Sequence, residues 1–201
     1  MAQLNIENRE IENERLEIKS GDIGFLGPNL TLRNCTLVLS VAARNLILIR
    51  PRIIDCTIEI RKELKNFPWT HALLSGCRFT GTMTGNDFGQ WPYDEASERG
   101  GIEDCDFTGA RLDACRFVDC DASTLKFPSW PCFTLLDPVR RKDTLLAAPW
   151  PGTSRLMIEA LTQSPPQTVA TTDSATALAK RTGTTEEAIR AVLDTLDGVI
   201  L

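Results

Sequence analysis

Apolar residues recur at every fifth position between residues 105 and 127, with mostly polar residues between them. Two positions of each unit are apolar: Cys105, Ala110, Cys115, Cys120 and Leu125 at the first, and Phe107, Leu112, Phe117, Ala122 and Phe127 at the third. Neither regular element has this period, because strands repeat every two residues and helices every 3.6. A chain that turns a corner every five residues can bury two residues in each unit. Four such corners make a square coil of about twenty residues, which is a typical solenoid repeat.

The apolar pattern continues upstream with a repeat of 21 residues. Cys35, Cys56 and Cys77 keep this spacing and lie in the similar settings NCTLVL, DCTIEI and GCRFTG. Four further apolar columns share the spacing: Leu16, Leu37, Ile58 and Phe79; Ile11, Leu32, Ile53 and Leu74; Phe25, Leu46 and Phe67; Ile18, Leu39 and Ile60. Aligned columns predict a solenoid whose coils stack like strands in a sheet, about 4.8 Å apart. Because free cysteine packs as a small hydrophobe, we expect the cysteine columns to lie inside.

The step from Cys77 to Cys105 is 28 residues, which is seven more than the repeat. We therefore expect a loop insertion within residues 85–101, a stretch rich in glycine with the proline and asparagine of a loop. Leu74 then aligns with Ile102. The solenoid is predicted to have roughly six coils, with 21-residue coils passing into 20-residue coils.

The five units over residues 103–127 resemble those of pentapeptide-repeat proteins. That family forms a right-handed quadrilateral β-helix, in which a small residue or cysteine and then phenylalanine or leucine point inward. The resemblance implies a mainly β fold for this chain, with a right-handed quadrilateral β-helix over residues 1–137. Residues 138–201 are predicted to form a connector and a small α-helical C-terminal subdomain.

The C-terminal periodicity is helical. Helices are predicted at three places: 153–163, 174–181 and 184–196. Residues 164–173 are predicted to form a loop, Thr184 and Glu187 have the spacing of a capping box, and Gly183 stands where a helix stops. The last two helices have the spacing of a helix-turn-helix, but acidic residues outnumber Arg190 on the second, which disfavours contact with phosphates. We expect these helices to cap the solenoid or to form a contact surface.

Composition excludes several classes of protein. A formal net charge of −5 disfavours a dedicated nucleic-acid binder. The first 19 residues are polar and charged, and no stretch approaches the ~20 apolar residues of a membrane span, so we expect a cytoplasmic protein with no membrane partner. The seven cysteines lack a secretory context and are poor candidates for disulfides.

Catalytic chemistry has little support in the sequence. The single histidine, His71, has no nucleophile nominated beside it, and no C-x-x-C pair or phosphate-binding motif occurs. We therefore predict that the protein is not an enzyme and needs no metal or cofactor.

Charge is divided between the two halves of the solenoid. Residues 94–121 contain nine acids and three arginines, a net of −6, whereas residues 33–65 have a net charge of +4. The predicted insertion adds aromatic residues of the kind that interfaces favour. We predict that a partner protein binds a surface of acidic and aromatic side chains: Trp91, Tyr93, Asp94, Glu95, Glu98, Glu103, Asp106 and Asp113. The alternative for Trp91 is that it only fastens the loop to the coil.

Two functions fit these features. In the first, the protein is an immunity protein that binds and neutralises a cognate bacterial toxin, an enzyme domain with a basic surface; small acidic proteins of this type resemble the chain. In the second, it resembles the pentapeptide-repeat proteins that imitate DNA and protect DNA gyrase. The basic residues 33–65 weaken that resemblance, since a DNA mimic should be acidic along its length.

Overall fold

The structure is a computed structural model that describes residues 3–92 and 100–201. Within these residues the solenoid consists of short strands that follow one another in chain order: β1 (Gln3–Ile6), β2 (Glu10–Glu12), β3 (Arg15–Ile18), β4 (Ile23–Leu26), β5 (Thr31–Arg33), β6 (Thr36–Leu39), β7 (Leu46–Leu48), β8 (Arg52–Ile54), β9 (Thr57–Lys65), β10 (Leu73–Ser75), β11 (Arg78–Thr84), β12 (Asp87–Gly89), β13 (Gly101–Glu103), β14 (Asp106–Asp113) and β15 (Cys115–Val118). The predicted β-solenoid is confirmed, since each strand pairs in parallel with the strand one coil away.

Three parallel sheets form the sides of the coil. Sheet A has the order β1-β4-β7, sheet B the order β13-β10-β8-β5-β2, and sheet C the order β14-β11-β9-β6-β3. A fourth sheet, sheet D, begins with β12 and β15, which follow sheet C strands in the chain as β4 and β7 do. The described strands make about four turns rather than the six predicted. The parallel ladders end early because the described chain after β15 adds a single parallel bridge to them, between Asp106 and Lys126.

The 21-residue columns are confirmed in sheets B and C. The inward column of sheet B pairs residue by residue: Ile11, Leu32, Ile53, Leu74 and Ile102. The 28-residue step is thus accommodated without a change of register at Leu74. Phe79 and Phe107 stack with ring centroids 4.6 Å apart, and both rings are fully buried. Burying each such side chain stabilises the fold by about 1.5–3 kcal/mol, so the core is the main source of stability.

One predicted column was wrong. Phe25 pairs with Ile47, and Leu46 pairs with Gly24, so this coil is one residue longer on sheet A. A one-residue slip moves a side chain to the other face of a sheet. Phe25 is accordingly half-buried on the outer face, while Leu46 is buried.

The five-residue pattern of residues 105–127 is confirmed as an inward-facing pattern. Eight of its ten apolar residues are buried, and only Cys120 and Ala122 are half-buried. These two lie where the parallel ladders have already stopped. The structure supports a β-solenoid here.

The corner between sheets B and C is made by residues in the left-handed region. One residue per coil has a positive φ there: Asn13, Asn34, Asp55, Gly76 and Asp104. Asparagine, aspartate and glycine tolerate this conformation best. Asn34 also donates a side-chain hydrogen bond of 2.5 Å to Asn13 in the preceding coil. The corner column therefore both ends the strands and joins the coils.

The chain after the solenoid mixes strands and helices: β16 (Cys132–Leu136), α1 (Lys142–Ala147), α2 (Ser154–Leu161), β17 (Thr168–Ser174), α3 (Ala175–Thr182), α4 (Glu186–Leu193) and β18 (Val199–Ile200). We call this part the C-terminal subdomain, and it includes β16, which lies before the predicted boundary at residue 138. The loop predicted at 164–173 was wrong, because most of it forms β17, the central strand of sheet D. β17 runs antiparallel to β15 of the last coil and to β16. The subdomain therefore closes one end of the solenoid by adding strands to its last coil.

The three predicted helices are confirmed with small shifts. Gly183 ends α3 in the left-handed conformation, as expected. The cap of α4 is Thr185 rather than Thr184, since its hydroxyl accepts from the Ala188 N–H at 3.2 Å. Helix α1 lies in the stretch predicted as a connector, and Leu145 from it is buried in the core of the subdomain.

Candidate functional site

The predicted acidic residues Glu103 and Asp106 flank the corner at Asp104. Glu103 is the last residue of β13, and Asp106 is the first of β14. Glu103 and Asp104 are exposed, and Asp106 is half-buried. Asp119 follows β15 and is also exposed. We call Glu103, Asp104, Asp106 and Asp119 the acidic edge.

Asp106 is held in its ionised form by its neighbours. Burial disfavours its charge, but the Thr108 N–H and hydroxyl donate to the carboxylate at 2.9 and 2.6 Å. Lys126 and Arg78 add favourable charge, so the pKa of Asp106 lies below its ordinary value. This carboxylate is therefore fixed in position and negative at neutral pH.

A groove on sheet B borders the acidic edge. Its volume is about 340 Å³, and it is lined by apolar residues that include Ile54 and Leu73 and by the charged side chains of Arg52, Glu103 and Asp119. Leu73 is 37 % exposed although it lies in a strand. We call this depression the sheet B groove. Its apolar lining was not predicted, although Ile54 and Leu73 stand at outward positions of the 21-residue repeat, where polar residues are expected.

Trp91 is fastened to the coil by a cation. The guanidinium of Arg116 lies 4.7 Å from the centre of the Trp91 ring, and it also binds Asp87 through two hydrogen bonds of 2.7 and 2.9 Å. Trp91 is half-buried in this position. The other residues predicted from the insertion lie outside the described residues: Tyr93, Asp94, Glu95 and Glu98.

Asp113 lies apart from the acidic edge, at the junction with the C-terminal subdomain. It is the last residue of β14, and its carboxylate accepts from Arg181 at 2.5 and 3.1 Å and from the Ser174 N–H at 3.2 Å. Its side chain is largely buried. Arg181 of the chain's own α3 thus binds the carboxylate that was predicted to meet a partner, and this pairing could not be predicted because the two residues are 68 positions apart.

A second buried acid stands beside this ion pair. Asp173, from β17, lies 4.0 Å from Arg181, and its Oδ2 atom has no hydrogen-bond partner among the described residues. Burial and the charge of Asp113 raise the pKa of Asp173 to about 7. The same two carboxylates, Asp113 first, raise the pKa of Arg181. At this junction Arg181 therefore lies within ion-pair distance of two acids, Asp113 and Asp173.

Two findings concern metal ligands and thiols among the described residues. These residues contain no group of three or more histidine, cysteine or acidic side chains placed to hold a metal ion. Burial raises the pKa of the Cys56, Cys115 and Cys120 thiols to about 12, so these thiols are protonated at neutral pH and are not activated nucleophiles. No helix among the described residues combines the length and the apolar character needed to cross a membrane.

Comparison with known proteins gave no relatives. No family model, no curated protein and no solved structure matches the chain. The arguments about function therefore start from the surfaces described above.

Proposed function

We propose that this protein is a non-enzymatic binding module that holds one partner protein against the acidic edge and the sheet B groove. The observation that carries the proposal is the position of Glu103 and Asp119, which together with Arg52 line a partly apolar depression on a side of the solenoid. An apolar centre with a charged border is the usual anatomy of a protein interface. The stacked coils keep this surface rigid, so little ordering entropy is lost on binding.

The partner should present a basic surface with an apolar side chain at its centre. Acidic carboxylates steer such a surface and fix its orientation, while the apolar contact with Leu73 supplies affinity. The five-residue units resemble those of immunity proteins of the pentapeptide-repeat kind, and this resemblance gives the proposal its concrete form. The partner is then a cognate toxin enzyme domain, and binding neutralises it.

The test compares two charge reversals at equivalent positions. Glu103→Lys changes the acidic edge, whereas Glu12→Lys changes the same outward column of sheet B four coils earlier. Both residues are exposed strand ends, so both variants should fold. Each tagged protein is used to capture partners from the native host, and the bound proteins are identified by mass spectrometry.

The expected result is one stoichiometric partner that wild type and Glu12→Lys retain and Glu103→Lys loses. With the purified partner, Glu103→Lys should weaken binding by about tenfold or more, which is roughly 1.4 kcal/mol. The partner should be toxic on expression alone and harmless when co-expressed with wild type. Equal binding by both variants would contradict the proposed surface, and recovery of DNA gyrase would favour the DNA-mimic alternative.

A further inference from the structure

Sheet A stops at β7 although the solenoid continues. The next coil sends residues 65–71 past this side of the molecule, but among the described residues they form no strand that pairs with β7. At the end of the strand the two coils are joined by a backbone hydrogen bond, in which the Arg50 N–H donates to the His71 carbonyl at 2.9 Å. The following strand on this side, β12, pairs with β15 and not with β7.

The coil after β7 consists of β8, β9 and residues 65–71, and we call it the third coil. The interruption follows from two of its features. Strand β9 is longer than β6, and between Ile60 and Leu64 it contains two residues more than the paired segment of β11, so the coil widens. Pro68 then has no N–H to donate, and Phe67 directs its carbonyl to the Asp87 N–H of the following coil at 3.1 Å. At these two residues the third coil therefore does not pair with β7.

β7 is left with a free backbone edge. The Ile49 N–H donates to the Leu26 carbonyl of the previous coil, and backbone groups alternate in direction along a strand. Leu48 accordingly directs its N–H and C=O toward the third coil, where no backbone partner is found within the described part of the chain. Free strand edges are templates for an added strand.

A groove of about 440 Å³ runs along this edge. Its lining includes Leu48, Phe67 and Pro68 together with the cations Arg44 and Lys65, and it contains no acidic side chain. Ile47 and Ile49 are 43 % and 40 % exposed on the same strand and its extension. We call this depression the β7 groove.

The charge of the β7 groove selects an acidic occupant. Arg44 forms no ion pair among the described residues, and the pair between Lys65 and Glu63, at 3.1 Å, is exposed at both ends. An exposed pair of this kind contributes little, so Lys65 can exchange its partner at small cost. Alternate side chains of an added strand would face outward, beside Ile47 and the two exposed cations, and the others would face the buried Phe67.

We propose that the β7 groove binds an extended segment of a partner protein, with carboxylates alternating with apolar side chains, as an added strand on β7. In this mode of recognition the main-chain hydrogen bonds supply affinity and the side-chain contacts supply specificity. The site is separate from the acidic edge and has the opposite charge. It does not depend on the function proposed above.

The test uses a displayed library of random twelve-residue peptides, selected on the full-length protein. Enriched peptides should be acidic with alternating apolar residues, and the best of them is labelled for fluorescence anisotropy. Arg44→Glu and Ile47→Asn should each weaken its binding by about tenfold or more. The matched controls Arg140→Glu and Leu156→Asn change an exposed cation and an exposed apolar residue of the C-terminal subdomain, and they should leave binding within about twofold.

Strand addition is tested separately by methylating alternate backbone nitrogens of the selected peptide. Methylation on the edge facing β7 should weaken binding by about tenfold or more, and methylation on the other edge should not. Glu103→Lys should bind the peptide as wild type does, which separates this site from the acidic edge. The proposal fails if no peptide is enriched, if basic peptides are enriched, or if Arg44→Glu or edge methylation has no effect. It also fails if sedimentation shows that a second copy of the chain occupies the groove in a dimer that Arg44→Glu disrupts.

Discussion

Replacing Asp173 by asparagine should stabilise the protein above neutral pH and leave its stability near pH 4 almost unchanged. Asp173 is buried beside Asp113, and Arg181 is the cation that forms ion pairs with these two carboxylates among the described residues. Its pKa is raised from 3.8 to about 7 by burial and by Asp113. The folded state therefore keeps a proton that the unfolded chain releases.

The sign of the effect follows from proton linkage. Between pH 3.8 and about 7 the folded protein binds more protons at Asp173 than the unfolded chain does, so this group lowers the free energy of unfolding as pH rises through that window. Above about pH 7 the full decrease in the free energy of unfolding caused by Asp173 is present, and it no longer changes with pH. A rise from 3.8 to about 7 corresponds to about 4 kcal/mol, which is an upper bound because the structure can relax around the charge. We expect a gain of about 2–4 kcal/mol for Asp173→Asn at pH 8.

Asparagine keeps the useful contacts of this site. Its carbonyl can accept from the Ala114 N–H, which already donates to Asp173, and its amide can donate to Asp113. The neighbouring change Asp113→Asn should have the opposite sign at pH 8, because it weakens the two hydrogen bonds to Arg181. Its cost should be about 1–3 kcal/mol.

The assay is urea unfolding of wild type and the two variants at pH 4, 6 and 8. Comparing each variant with wild type at the same pH removes the contributions of other titrating groups. The argument is refuted if Asp173→Asn destabilises the protein at pH 8, or if its effect is the same at pH 4 and pH 8.

Three further changes test the core and the corners. Asn86→Ala should lower the free energy of unfolding by about 3 kcal/mol or more. The buried Asn86 amide accepts from the Trp69 side-chain N–H at 3.2 Å and donates to the Leu64 and Thr84 carbonyls at 2.8 and 2.9 Å. A loss below about 1 kcal/mol in urea unfolding would contradict this. Gly76→Ala should lower the free energy of unfolding by about 1–2 kcal/mol, since φ is +63° and the new Cβ would meet the Asp55 carboxylate of the neighbouring coil. Gly76→Asn should cost less, because asparagine tolerates the left-handed conformation better than alanine does. Equal costs for the two variants would be evidence against a left-handed requirement at this position. In a thiol-titration assay at pH 8 the native protein should react slowly, and first at the half-buried Cys120. The unfolded chain exposes all seven thiols and should react rapidly. Rapid reaction of several thiols in the native protein would show that the cysteine columns are not internal.

The solenoid could be predicted from the sequence because its core is periodic. Each coil presents the same inward positions, so columns such as Ile11, Leu32 and Ile53 are visible as a spacing. The register on sheet A was lost where one coil gained a residue, since Phe25 and Leu46 are both apolar and the sequence alone does not show which one faces inward. The corner residues were a usable second signal, because Asn13, Asn34 and later members of their column mark the strand ends.

The sites were less accessible to prediction because they combine residues that have no fixed spacing. Glu103 and Asp119 could be noted as acidic, but the apolar floor beside them depends on which side of β10 faces out. From the sequence, Asp113 was predicted to be a surface acid. In the structure it is covered by β17 and α3, which supply the Ser174 N–H and Arg181 as donors. β17 itself was missed because consecutive residues in it are buried, its threonines included. The strand therefore lacks the alternation between core and water that marks a strand in a sequence.

The pairing of β15 with β17 has a consequence for how the protein emerges from the ribosome. Coils can stack in order as they are synthesised, because each new strand finds the previous coil already in place. The exception is the last coil, because β15 ends at Val118 and its antiparallel partner begins only at Thr168, fifty residues later. During that interval the backbone N–H and C=O groups on this edge of β15 have no paired strand. Translation pauses between these two strands should therefore raise the risk of aggregation more than pauses at any earlier point.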